Sequence, residues 1–182
     1  KVSYLEQVEA EQLVTEPLKD YLSFHPLVTK QICSVTACHP YFIQYICASL
    51  VERARSERRN YIELTDLNWA IRDAVRDATG NIGSIYGHLD ANEKPALAAL
   101  ANLTDDVRVY APFGDLVALL ERRHLAMPRE QLMEALGSLG ERDLINETRI
   151  GQQLCYSFRM ELVRLWLLQN ETLLRLAQER AG

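Results

Sequence analysis

Between residues 113 and 158 the spacing of apolar residues changes from a helical to an alternating period, and few folds accommodate that order. Before the change, Leu116, Val117, Leu119 and Leu120, then Leu132, Met133, Leu136 and Leu139, recur at three and four, which predicts helices over 113–123 and from Pro128 onward, each with one buried stripe. After it, Leu144-Ile145-Asn146-Glu147-Thr148 and Leu154-Cys155-Tyr156-Ser157-Phe158 read as two short strands, with Ile150-Gly151-Gln152-Gln153 as the turn between them. An earlier helix is predicted over 90–102, with Leu97, Leu100 and Leu103 inward. Pro95 must then sit in or near its first turn, because deeper in the helix it would force a kink. Three helices followed by a β-hairpin is the order of a winged helix, in which the hairpin closes the open face of the helical core. One C-terminal helix follows, from Leu162, Val163, Leu165, Trp166 and Leu167 through Leu173, Leu174 and Leu176.

The first part of the chain keeps the helical period throughout. A short amphipathic segment over 6–14 ends at Pro17. A second helix begins at Pro26, a favoured first helical position, with Leu27, Val28, Ile32 and Val35 on one side. Pro40 opens a third, whose first two turns (Tyr41, Phe42, Ile43, Tyr45, Ile46, Cys47) are apolar almost all round and predict burial on several sides. Thr65 reads as the N-cap of a fourth, carrying Leu67, Ala70, Ile71, Ala74 and Val75. Gly80, Gly83 and Gly87 mark 79–87 as a hinge. The expected fold is therefore mainly α, with a small helical bundle over 1–78, a linker over 79–89 and a winged-helix domain over 90–182.

A chain of 182 residues that is 48% hydrophobic can bury a core in each of two small domains. No apolar run reaches the roughly 20 residues of a membrane helix, and no signal peptide is evident, so a soluble cytoplasmic protein is expected. The net charge of −5 argues against a protein built chiefly to grip nucleic acid. Lys1 in place of Met, and an opening Lys1-Val2-Ser3-Tyr4-Leu5 that resembles the end of a strand, favour an excised fragment or a processed product.

The reactive residue types have structural readings. Cys33 and Cys47 fall on apolar helical faces, where a free thiol acts as a small hydrophobe, and the Cys-x-x-Cys pairs of structural zinc sites are missing, so no metal is expected. Cys38 beside His39 lacks a third, orienting group and is not a catalytic pair. His25, His88 and His124 belong to helix ends or loops, and Trp69 and Trp166 to the core. Arg53, Arg55, Arg58 and Arg59 are interrupted by Glu52 and Glu57, as in a solvated helix end.

The segment Thr36-Ala37-Cys38-His39-Pro40-Tyr41-Phe42-Ile43-Gln44 resembles the lid of STAND and related AAA+-type P-loop ATPases, which carries a Thr-Gly-Gly-His-Pro-Tyr-like turn before an apolar helix. Ile62-Glu63-Leu64-Thr65-Asp66-Leu67 resembles the family's Ile-Thr-x-x-Asp-Val-like step. Tyr156-Ser157-Phe158-Arg159 with Leu162-Val163-Arg164-Leu165-Trp166-Leu167 resembles the ending of its winged helix. The departure lies at Ala37 and Cys38, where the family has two glycines that permit positive φ or close backbone approach.

The resemblance implies a regulatory C-terminal part of such an ATPase. Ala37, Cys38, His39, Pro40 and Tyr41 would form the adenine-side wall for ATP or ADP, held only together with an upstream P-loop domain in cis. The winged helix would move as a rigid body about the 79–87 hinge and report nucleotide state. No Gly-x-x-x-x-Gly-Lys-Ser/Thr occurs in the chain, so it is not expected to hydrolyse ATP alone. Two other functions fit the same pattern, a winged-helix DNA-binding regulator and a protein-interaction adaptor with a degenerate lid. Arg129, Arg142 and Arg149 are the candidate contacts to nucleic acid or a partner. Because Glu130, Glu134, Glu141 and Glu147 accompany them, a protein-facing surface is expected over DNA.

Overall fold

The computed structural model describes residues 4–77 and 81–181, and its contacts divide the chain into two compact units, Lys1–Ala78 and Thr79–Gly182. Both are mainly helical. Among the described residues no helix is long and apolar enough to cross a membrane.

The first unit packs α1 (Gln7–Thr15), α2 (Pro26–Thr36), α3 (Pro40–Ser56) and α4 (Leu64–Asp77) around a core that includes Val14, Ile32, Ile43, Ile46, Leu50 and Leu67. Local chemistry sets the helix starts. In α1 the Glu6 N–H donates to Glu9 Oε2 at 3.1 Å, one half of a capping box. In α2, Pro26 takes the first helical position and the His25 Nδ1 accepts the Leu27 N–H at 3.2 Å. Thr65 is not the cap of α4. The Glu63 N–H instead donates to Asp66 Oδ2 at 2.9 Å, so the helix begins two residues earlier and Asp66 closes its first turn. Two residues on each side, β1 (Ser23–Phe24) and β2 (Tyr61–Ile62), pair in parallel, which their length hides in the sequence. Tyr4 and Leu5 are irregular rather than extended as a strand, and Lys1, Val2 and Ser3 lie outside the described residues.

The start of α3 is less enclosed than its composition predicts. Phe42, Ile43 and Ile46 are buried, but Tyr41 remains 43% exposed and Gln44 faces solvent. The helix buried on nearly every side lies in the second unit. In α6 (Glu93–Leu103) every residue from Pro95 to Ala101 is buried, and α7 (Phe113–Arg122), α8 (Arg129–Glu141), α9 (Glu161–Asn170) and α10 (Leu173–Ala181) all pack against it. Its alanines permit this, because a methyl side chain lets neighbouring helices approach without leaving a void.

The hairpin is β4 (Ile145–Ile150) with β5 (Gln153–Phe158), in register from Ile145 opposite Phe158 to Ile150 opposite Gln153. The turn is two residues long, with Gly151 at φ +63, where a tight hairpin needs glycine. A third strand, β3 (Ala111–Pro112), pairs antiparallel with the other side of β5 and puts β5 at the centre of the sheet. The second unit is thus a winged-helix arrangement of helices closed by a hairpin.

Three expectations are corrected here. The stretch read as a linker over 79–89 is helical from Asn81 to Gly87 (α5), with Ile82, Tyr86 and Leu89 buried, while Thr79 and Gly80 lie outside the described residues. The C-terminal helix is two: Glu171 is extended, and the Thr172 Oγ1 accepts the Arg175 N–H at 3.1 Å, restarting the helix as α10. Met133 is 49% exposed, because the buried stripe of α8 runs through Leu132, Ala135, Leu136 and Leu139.

Two of the four arginines read as a solvated helix end perform a structural task. Asp66, 2% exposed, accepts from Arg53 Nε at 3.0 Å and from Arg59 Nη2 at 2.7 Å, and Arg53 also lies over the Trp69 ring. The Arg59 guanidinium holds the Asp66 carboxyl down at about 2, below its usual 3.8. A carboxylate depressed by folding stabilises above the unfolded pKa and loses that contribution as pH falls through the folded one. Asp66→Asn is expected to lower stability by about 2 kcal/mol at neutral pH, the free energy that corresponds to this shift. The difference from the parent should shrink between pH 3.8 and about 2, as read by denaturant titration at both ends.

Candidate functional site

The turn between α2 and α3 is built by backbone hydrogen bonds. Ala37 (φ 49°, ψ 34°) and Cys38 (φ 60°) are both left-handed, the conformation that a pair of glycines adopts without strain. The Cys38 N–H donates to the Cys33 carbonyl at 3.1 Å and the His39 N–H to the Thr36 carbonyl at 3.0 Å, a closure of the kind that ends helices at a left-handed residue. Thr36 is fully buried, with its hydroxyl donating to Ile32 O at 2.8 Å. His39 is then extended, and Pro40 starts α3 in the position where its missing N–H costs nothing.

From the opposite side, the Leu5 N–H donates to the Cys38 carbonyl at 3.0 Å, tying the first described residues to the turn. Tyr4 meets the His39 ring edge-on at 5.4 Å between centroids. His39 in turn lies 5.2 Å from Phe42, and Tyr41 lies 5.1 Å from Phe42 and 6.4 Å from Tyr45. The structure therefore brings His39, Pro40 and Tyr41 together into an aromatic lip, with Tyr41 its exposed member and Ala37 and Cys38 shaping the bend. Sequence reasoning missed Tyr4 and Tyr45. Tyr45 lies one helical turn beyond Tyr41, so that spacing was available. Nothing local marks Tyr4.

Burial sets the protonation of these groups. It pushes the Cys33 and Cys47 thiols up to about 12 and raises Cys38 as well, which disfavours the thiolates that nucleophilic or metal chemistry requires. Among the described residues no three His, Cys, Asp or Glu side chains converge as a metal site. Burial also lowers the pKa of His39, which favours the uncharged ring at neutral pH, and its buried Nδ1 has no hydrogen-bond partner among the described residues.

The three candidate arginines of the second unit do not form one patch. Arg129 opens α8 with its guanidinium 5.6 Å from the Phe113 ring centroid, and Arg142 follows the other end of the same helix, 3.6 Å from the buried Glu93. Thirteen residues of helix separate them, about 20 Å of rise. Arg149 is exposed on β4 near the hairpin turn. Between the two helix-end arginines, the solvent face of α8 carries Glu130, Met133, Glu134 and Glu141.

No family model matches the chain, and neither does any curated protein. Four chains of solved structures are similar to it, including the following two. Cdc6p from Pyrobaculum aerophilum aligns over 88% of this chain and 44% of its own, with a TM-score of 0.42 and 16% identity. A chain in the structure of Drosophila ORC bound to DNA aligns over 92% of this chain and 45% of its own, with a TM-score of 0.38 and 14% identity. The chain thus spans less than half the length of either. At these values the likeness assigns neither an activity nor a binding partner.

Two outcomes follow from the turn. Left-handed φ costs an L-residue roughly 1–2 kcal/mol, so Ala37→Gly is expected to stabilise the chain by about 1 kcal/mol after the added freedom of its unfolded state is counted. A higher thermal midpoint checks this. A His whose pKa is lowered by folding stabilises above its unfolded value of 6.5 and loses that contribution as pH falls below it. Thermal melts at about pH 7.5 and about pH 5 should show a drop, and His39→Phe should reduce it.

Proposed function

We propose that the chain is a C-terminal regulatory part of a STAND-like, AAA+-type P-loop ATPase. The first unit is its lid, and the second couples nucleotide state to domain arrangement through protein contacts. The observation that carries this reading is the left-handed pair at Ala37 and Cys38 directly before His39-Pro40-Tyr41. The resembling turn has two glycines there, and here a left-handed backbone of the kind glycine favours is adopted without them.

The residues fit a purine. Pro40, Tyr41 and the neutral His39 offer apolar and aromatic surface to a flat ring. The turn contains no Lys or Arg, so the phosphates of ATP or ADP belong to an upstream P-loop domain acting in cis. The role left to this chain is to cover the base and to bias the domain arrangement. Turnover requires the P-loop.

The face of α8 that a DNA-reading winged helix would turn towards phosphates carries three carboxylates around Met133 and one arginine already stacked on Phe113. Phosphates would be repelled there, which supports a protein partner over DNA.

The test of the lid is Pro40→Glu in a protein that carries the P-loop domain ahead of this chain. Nucleotide affinity is expected to fall by about tenfold, the weight of one lost stacking contact. Unchanged affinity and turnover would remove the assignment. For the second unit, the chain is expected not to shift duplex DNA even at low salt, and salt-sensitive binding lost in Arg149→Glu would establish the DNA-binding alternative instead.

A further inference from the structure

The second unit contains a concavity of about 230 Å³ lined by Lys94, Pro95, Leu125, Leu176, Glu179 and Arg180. Pro95, Leu125 and Leu176 are buried apolar side chains. Glu179 is already engaged, accepting from Arg175 Nε at 3.2 Å, and Arg175 also pairs with Glu171.

The two cations are different. The Lys94 Nζ rests 5.5 Å from the centroid of the Tyr86 ring, and the Arg180 Nη1 donates to the Leu125 carbonyl at 3.2 Å. Neither meets a carboxylate among the described residues, although acidic side chains outnumber basic ones in the chain, 25 to 20. An aromatic face and a carbonyl hold both side chains in place while leaving each with donors to spare.

We infer that this concavity binds a carboxylate bearing a short aliphatic group. The aliphatic part lies on Pro95, Leu125 and Leu176, and the carboxylate meets Lys94 and Arg180. The volume is below the roughly 300–1,000 Å³ of sites for drug-sized ligands, so it admits one side chain with its carboxylate and excludes a nucleotide. Inorganic phosphate has the charge but nothing to place on the apolar residues. The site lies wholly in the second unit and is independent of the nucleotide reading of the first. Two sources share this chemistry, the free C-terminus of a peptide ending in leucine and a free branched short-chain acid.

The experiment is calorimetric titration of the 182-residue chain with acetyl-Gly-Ser-Leu, with the same peptide as its C-terminal amide, with 4-methylpentanoate and with inorganic phosphate. The free-acid peptide, 4-methylpentanoate or both should saturate, with the amide peptide at least about tenfold weaker than its free acid and phosphate weaker still. Lys94→Met with Arg180→Met should weaken binding by at least about tenfold with an unchanged circular dichroism spectrum. Arg122→Met with Arg123→Met, which removes the same charge elsewhere, should leave it unaltered. A peptide about tenfold tighter than the free acid identifies a chain terminus, and the reverse or equality identifies a free acid. No saturation by either up to about 10 mM, equal binding of the amide, equal binding of phosphate, or indifference to the Lys94 and Arg180 changes would overturn the inference.

Discussion

The hydrogen bond from the Cys38 N–H to the Cys33 carbonyl holds the backbone in a conformation that two L-residues disfavour, and the outward surface of the first unit depends on it. Left-handed φ at Ala37 and Cys38 costs roughly 1–2 kcal/mol each. The opposing gains are local: the His39 N–H on Thr36 O, the Leu5 N–H on Cys38 O, and burial of the Cys33 side chain beneath the turn. Were those two residues to relax to negative φ, Pro40 would no longer follow in line with the axis of α3. His39 would then turn away from Tyr4, and Leu5 would lose its acceptor. The strain is thus confined to two residues and offset within six, which is how an unfavourable bend persists at a surface.

The second unit depends on a different economy of space. With every residue of α6 from Pro95 to Ala101 buried, its ends become the difficult part, because their free N–H and carbonyl groups lie near the core. At the start, Asp90 and Glu93 cap each other, with donor–acceptor distances of 2.8 and 2.7 Å, and the Ser138 hydroxyl donates to Glu93 at 2.5 Å, joining α8 to the cap. At the far end the buried Arg164 donates to the Thr104 carbonyl at 2.9 Å and pairs with Glu161, bringing in α9. Polar residues that look dispensable in an apolar sequence therefore close both ends of the central helix.

Features that depend on near neighbours were legible in the sequence. Pro26, Pro40 and the period-two runs placed α2, α3, β4 and β5 to within about two residues, because backbone restriction and face alternation act over single turns. The break between α2 and α3 was legible for the same reason, whereas the choice of residues 37–41 as a site came from the resemblance alone. What failed was set at a distance or by competition. Thr65 has the chemistry of a cap, but Asp66 reaches Glu63 and is clamped by Arg53 and Arg59, so the helix starts earlier. Met133 fits the apolar spacing of α8, yet Ala135 takes the buried position. The pairs Ser23–Phe24 with Tyr61–Ile62, and Ala111–Pro112 with β5, are too short to show a period. Tyr4 reaches His39 across 35 residues of sequence, and only the fold puts them together.

The two units carry nearly equal net charge, −2 over residues 1–78 and −3 over 79–182, and differ instead in where those charges lie. In the first, the exposed part of the turn is aromatic and uncharged, and burial lowers the pKa of its imidazole. In the second, the exposed face of α8 is acidic, its N-terminal arginine is stacked on Phe113, and Arg142 faces the buried Glu93. An uncharged lip has no means of holding phosphate, and an acidic helix has no means of tracking a phosphate backbone. Both effects are electrostatic and belong to the proposed function. A base can still stack on the first unit and a basic or apolar partner can still meet the second. Under the proposed lid function, the two surfaces therefore answer to different ligands.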